Sequence, residues 1–279
     1  MSMTITETNR EPIDANQVVG SRHIALITLD SLRYDTARDA LAAGLTPNLA
    51  KLLPADGWEH RHAPGTFTFA SHQAVFAGFF PTPAHSGAGV PRLFACRPPD
   101  GRTTRPTTFV FDDDNIVTGL ARHGYRTVCI GGVDFFASGT PLGSVFPAKF
   151  AESYWRPEFG PTRPDSTGHQ VDQALTVLRQ HAGRPEPLFL FLNVSANHVP
   201  HHHYRPEARG VDCRESQIAA LAYTDAELGR LLGALADAGQ WLVVICADHG
   251  DAYGDDGYHG HGNAHPSVTS VPYAEMLVG

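Results

Sequence analysis

Four short runs of apolar residues punctuate the chain: "HIALITLD" at 23–30, "YRTVCIGG" at 125–132, "PLFLFLNV" at 187–194 and "WLVVICAD" at 241–248. Each is nearly continuous in its apolar character, and most are rich in β-branched or aromatic residues. That pattern predicts strands buried on both faces, as in parallel sheets. The intervening stretches "DNIVTGLARHG", "TGHQVDQALTVLRQHAG" and "RESQIAALAYTDAELGRLLGALADAG" space their apolar residues for helices, and each precedes a strand. A final run, "SVPYAEMLVG", reads as an edge strand, because its proline suits an edge. Helix–strand alternation implies an α/β fold: a mostly parallel central sheet with helices on both faces. Residues 1–20 read as a loose tail and 21–279 as a single domain. Residues 81–105 and 134–167 lack periodicity and read as long loops over the active face.

Composition narrows the function classes. A chain of 279 residues, 42% hydrophobic, can bury one sizeable core. A formal net charge of -8 argues against a broad nucleic-acid-binding face, and 18% charged residues argue against disorder. Cys96, Cys129, Cys213 and Cys246 stand far apart and form no Cys-x-x-Cys pair, which disfavours a thiolate zinc site. Cys129 and Cys246 lie in apolar runs and read as core thiols. The N-terminal segment has no apolar core of a secretory signal, and no stretch is long enough to span a membrane. The expected location is the cytoplasm, with neither membrane nor nucleic acid as partner. Nothing in the sequence fixes an oligomeric state. Sixteen histidines are the oddity, clustered in "NHVPHHHY" and "YHGHGNAH", where a polar loop and a metal site are both open readings.

Sites in open α/β sheets form beyond the carboxyl ends of the strands. There the sequence places Asp30 after the first strand, Asn197 and His198 after the third, and Asp248 and His249 after the fourth. Two carboxylates and an imidazole on one edge suit a divalent metal. The segment "TFTFASHQAVFAG" adds hydroxyls at the start of a helical pattern. A threonine hydroxyl needs a base or a metal to become a nucleophile, and Thr68 is the candidate. The same residues also suit a helix N-cap, with Thr68 or Ser71 in that role.

These segments together resemble the alkaline phosphatase superfamily, in its sulfatase, phosphodiesterase and phosphonate-hydrolase branch. "ITLDSLRYD" followed by "TPNLAKL" is similar to the first metal-binding segment. "TFASHQAVFAGFFP" aligns with the sulfatase nucleophile segment and resembles the T-F-P-N-H segment of nucleotide pyrophosphatases. "ICADHGD" with its preceding helix resembles the D-H-G metal segment, and "SVPYAEMLV" the terminal V-P strand. By this resemblance Asp30, Thr68, Asp248 and His249 ligate one metal, and Thr68 is the nucleophile. His198 contacts the substrate anion, and His261 stands where many sulfatases have a lysine. His72 replaces an arginine of the sulfatase segment and, with Ser31 and Asn197, is expected to touch substrate. The resemblance also implies a chain without the sulfatase C-terminal subdomain.

Departures from the family pattern shape the expected chemistry. No cysteine occupies the nucleophile position, so the formylglycine of ordinary sulfatases cannot form there. Ser31 replaces the second aspartate of the calcium-type site. A second ion would be held by His198, His202 and either His261 or His265; otherwise one ion serves and the histidines contact the anion. Zn2+ or Mn2+ is favoured, with Mg2+ and Ca2+ open. The expected activity is hydrolysis of phosphate mono- or diesters or phosphonates, small anionic esters, by Thr68. The alternatives are a phosphoryl transferase or mutase and a non-catalytic metal-binding partner protein. Arg92, Arg97, Arg102 and Arg105 read as solvated loop residues or as steering charges for an anion.

Overall fold

The computed structural model describes residues 13–78, 92–94, 108–110 and 114–279. In chain order it begins with helix α1 (Ala15–Val18), strand β1 (His23–Leu29), helices α2 (Tyr34–Ala42) and α3 (Pro47–Ala50), strand β2 (Glu59–His62) and helix α4 (Thr68–Ala77). Strands β3 (Arg92–Phe94) and β4 (Thr108–Val110), helix α5 (Ile116–Arg122), strands β5 (Arg126–Ile130) and β6 (Glu152–Tyr154), and helix α6 (Ser166–His181) follow. The chain closes with β7 (Leu188–Val194), α7 (Arg214–Ala238), β8 (Trp241–Cys246), the short pair β9 (Ala252–Tyr253) and β10 (His259–Gly260), α8 (Pro266–Thr269) and β11 (Ser270–Val278).

Seven strands form the main sheet in the order β2-β11-β8-β1-β7-β5-β6. From β8 to β6 every neighbour is parallel, and β11 runs antiparallel to both β8 and β2. The four apolar runs are the four central strands, as their composition predicts. β7 shows why. Leu188, Leu190, Leu192 and Val194 enter a core shared with α2, α6 and α7, while Phe189 and Phe191 enter an aromatic core on the opposite face with Phe69 and Phe76 of α4. Successive side chains of a strand point to opposite faces, so an unbroken apolar run is what a doubly covered strand needs.

Three expectations are corrected. β11 is not the edge: β2, a polar four-residue strand, pairs outside it, with Pro272 opposite His60. The loose tail is shorter than 20 residues, because Asp14 caps α1 and Val18 is buried in the aromatic core. The loop at 134–167 contains β6 and several short helical turns. Of the arginines in the first long loop, Arg92 falls in β3 and Arg97, Arg102 and Arg105 lie outside the described residues. Among the described residues no helix is long and apolar enough to cross a membrane.

Candidate active site

The sheet delivers its acidic groups at adjacent strand ends. β1 runs out at Leu29, and Asp30 follows with its side chain on the same face as Thr28, two residues earlier. β8, paired with β1, runs out at Cys246, and Asp248 follows. One ligand atom from each of Asp30, Asp248 and His249 lies within 4.8 Å of the others, and all three residues are buried. Ser31 locks the two carboxylates together. Its N–H donates to Asp248 Oδ1 at 3.1 Å and its hydroxyl to Asp30 Oδ1 at 3.1 Å. That grip requires a positive φ of 63° at Ser31, a left-handed conformation a non-glycine residue adopts only when its surroundings enforce it.

His249 is oriented by its own neighbour. Nδ1 donates to the Gly250 carbonyl at 2.8 Å, which leaves the Nε2 lone pair facing Asp248 Oδ2 at 3.4 Å. Burial holds its pKa below the usual imidazole range despite the charge of Asp30, so the neutral ring offers that lone pair. Gly250 must be glycine: a Cβ there would lie 2.0 Å from the Ser267 carbonyl oxygen, because the start of α8 crosses at that point.

The donor set fits a divalent cation. Asp248 Oδ2 is buried without a hydrogen-bond partner. Burial, and then the adjacent charge of Asp30, push the Asp248 pKa up to about 7. Burial would raise Asp30 too, but the imidazoles of His198 and His249 and the Asn193 amide outweigh it and hold Asp30 below the usual carboxylate range. Two buried carboxylates and a neutral imidazole converging on one orphaned oxygen make a site that a cation completes.

Thr68 opens α4, at the first helical position after an extended Phe67. Its hydroxyl does not cap the helix. Instead Oγ1 lies 3.5 Å from Asp30 Oδ2 and 3.4 Å from His249 Nε2.

A second layer was not legible as chemistry. Asn193, in register with Thr28, donates to Thr28 Oγ1 at 3.3 Å and to Asp30 Oδ2 at 3.0 Å. Its Oδ1 accepts the N–H groups of Gly132 and Val133. Thr28 Oγ1 also meets His72 Nε2 at 3.0 Å, and His72 Nδ1 donates to the Thr68 carbonyl at 2.8 Å. A polar chain thus runs from β7 through β1 to the first turn of α4. The available signal was the lone amide in "LFLFLNV", since a buried polar side chain must have partners.

The expected substrate contacts are relocated by this network. His72 is fully buried among Phe76, Phe136, Phe146 and Phe191, behind Thr68. The Ser31 hydroxyl is bound to Asp30. Asn197 is buried and accepts from Thr224 at 3.3 Å, facing α7. His72 and Ser31 brace the site from behind, while the Asn197 amide nitrogen is buried without a hydrogen-bond partner.

Of the four histidines considered for a second ion, two reach the centre. The ring of His261 lies 4.6 Å from that of His249 and 5.5 Å from that of His198. His202 is instead held by Asp212 at 3.1 Å, and His265 by Ser267 at 2.8 Å and Asp256 at 3.3 Å. Among the described residues no second group of three ligand atoms converges. His261 Nδ1 faces buried Asp251 at 3.5 Å. Burial opposes charge on His261, but the Asp251 carboxylate overrides it and raises the pKa above the usual range. The loop carrying His261 is tied to the loop before α4, where Gly262 N–H donates to the Thr66 carbonyl at 2.6 Å. Beside Thr68 and His198 opens a cleft of about 400 Å³, walled by residues 133–135 and 155–162.

Comparison with known proteins follows this geometry. A family model described as Sulfatase matches residues 22–273. No curated protein matches the chain closely enough in sequence to count as a relative. Solved structures share its fold. The C-terminal periplasmic domain of phosphoethanolamine transferase EptC from Campylobacter jejuni superposes with a TM-score of 0.61 at 15% identity, over 92% of this chain and 79% of that one. The lipoteichoic acid synthase LtaP from Listeria monocytogenes gives 0.60 at 15%, over 92% and 65%. The Escherichia coli EptC periplasmic domain in complex with Zn gives 0.59 at 16%, over 92% and 73%. The expectation of a cytoplasmic location does not stand against these neighbours, since the Campylobacter and Escherichia structures are periplasmic domains.

Proposed function

The chain belongs to the sulfatase family, and on that premise we propose that it is a metal-dependent phosphoryl-transfer enzyme, acting as a hydrolase of phosphate mono- or diesters or phosphonates. One observation carries the reading: Thr68 Oγ1 lies 3.5 Å from Asp30 Oδ2 and 3.4 Å from His249 Nε2, at the mouth of a cleft. Asp30, Asp248, His249 and Thr68 would hold the ion. When bound, a divalent ion favours the threonine alkoxide and polarises a non-bridging oxygen of the ester. A threonine in place of cysteine cannot supply formylglycine, so ordinary sulfatase chemistry is set aside.

The residues divide the remaining work. Thr68 surrenders its hydroxyl proton, for which Asp30 Oδ2 at 3.5 Å and His249 Nε2 at 3.4 Å are the neighbouring acceptors. Catalytic hydrogen bonds are often this long before substrate arrives. Oγ1 then attacks phosphorus in line and the ester oxygen leaves, giving a phosphothreonine. The positive end of the α4 dipole, at its first turn, favours the developing negative charge. His261, whose hold on a proton Asp251 strengthens, would give its proton to the leaving oxygen, and His198 would contact the equatorial oxygens. Water attack on the phosphothreonine completes hydrolysis. An alcohol acceptor would make the same site a transferase, a reading favoured by the transferases among the neighbours of this fold.

The test pairs elemental analysis of the purified protein with a panel of nitrophenyl phosphate mono- and diesters. Thr68→Ala is expected to keep the metal and lose about a thousandfold or more in turnover. Unchanged turnover in that variant would remove Thr68 from the chemistry. Oxygen-18 from labelled water in the phosphate product marks hydrolysis, and its absence marks transfer. A protein that retains metal but turns over none of the panel would favour the non-catalytic alternative.

A further inference from the structure

We propose that the cleft beside Thr68 selects substrates whose organic arm is an aryl ring or a comparably flat apolar group, seated against Phe135 and Trp155. The proposal rests on the reading of Thr68 as nucleophile and adds a substrate class to it.

The cleft wall is apolar: Val133, Phe135, Trp155, Pro157 and Pro161 line it, with Thr68 and His198 at the reacting end. Among the described residues its one carboxylate, Asp134, is exposed, and no lysine or arginine lines it. The described wall thus offers no counter-charge to an arm carrying a second phosphate. An arm rich in hydroxyls would lose water and find few partners, Asp134 and Thr162 being the polar side chains away from the reacting end. A ring loses little water and gains apolar contact with the wall.

The wall is also built in advance. The Trp155 indole N–H donates to the Gly132 carbonyl at 3.2 Å, which satisfies its polar edge. Phe135 packs on Phe67 and Phe69 with ring centroids 6.4 and 5.9 Å apart, and Phe69 packs on Phe146 at 4.9 Å. The turn bearing Val133 and Phe135 is seated directly on β7, because a Cβ at Gly132 would lie 2.4 Å from the Asn193 carbonyl oxygen. Asn193 is the residue whose amide holds Asp30, so the wall and the metal ligands share one support. Pre-formed apolar clefts with a few convergent polar groups are the usual form of small-molecule sites.

Two 4-nitrophenyl phosphonate monoesters test this, phenylphosphonate and methylphosphonate, which share a leaving group and differ only in the arm left on phosphorus. Calorimetric binding of the free phenyl- and methylphosphonates reads the same preference without turnover. The wild-type protein is expected to favour the phenyl compounds by about tenfold, through KM or Kd. Trp155→Ala and Phe135→Leu are expected to collapse that ratio toward one by weakening the phenyl compounds about tenfold more than the methyl compounds, with circular dichroism reporting that the variants are folded. Equal handling of both arms by the wild type, or a preference that survives both substitutions, would overturn the proposal. Turnover without phenyl preference would sink this inference alone. Phenyl-selective binding without turnover would sink the nucleophile reading alone.

Discussion

Asn193 shows how much one amide can hold. Its two ends link Asp30 and Thr28 on β1 to the backbone of Gly132 and Val133 after β5. Asn193→Ala would leave two buried N–H groups and one side of Asp30 unpaired. The expected cost is about 2–4 kcal/mol in urea unfolding, with metal affinity falling by roughly 10- to 100-fold in a titration. A variant with wild-type metal affinity would show that Asp30 is positioned without it. At this scale the sequence reveals ligands better than supports. Asp30, Asp248 and His249 are legible because they end apolar runs in segments with a family likeness. His72 is not, because its distance from Thr68 is one helical turn, and position alone does not say whether that turn faces the substrate or the core. The ring faces the core, with Nδ1 on the carbonyl four residues back.

Elements tell a similar story. The central strands are legible because burial on both faces leaves an unbroken apolar record. β2 reads "EHRH", is largely exposed, and leaves no such record, so the apolar pattern alone puts β11 at the edge. The segment "TPNLAKL" and the helix before "ICADHGD" share in the family likeness, and the fold gives them a physical meaning. α3 has no side-chain cap of its own. Asp225 of α7 supplies one from across the core, accepting from the Asn48 and Leu49 N–H groups at 3.1 and 2.7 Å and from the Asn48 amide at 3.0 Å. Asp225→Ala is therefore expected to cost about 2–3 kcal/mol in thermal or urea unfolding, more than an exposed cap, because the donors it abandons are buried. A loss within the error of the measurement would mean that water replaces the cap.

For the whole molecule, the abundance of histidine makes stability a function of pH. His201 is buried between the Ser216 hydroxyl at 2.9 Å and the Tyr253 hydroxyl at 2.8 Å, joining the start of α7 to the loop after β8. Burial pushes its pKa down to about 4, against the pull of Asp212 and Asp251. The unfolded chain, with an imidazole pKa near 6.5, binds the proton more readily. The stability contributed by the neutral ring is thus complete above pH 6.5 and is lost as pH falls toward 4. At pH 5 the loss is about 2 kcal/mol. Urea midpoints at pH 7.5 and 5 should therefore converge for His201→Gln relative to the wild type, and an identical drop in both proteins would assign the acid sensitivity elsewhere. The cation cradle is cut from strand tips at the centre of the sheet, whereas the cleft walls come from residues 133–135 and 155–162 around it. Cradle and walls are joined chiefly through Asn193. A graft that exchanges the outer walls but keeps that joint is expected to alter which ligand the cleft accepts while Asp30 stays in place.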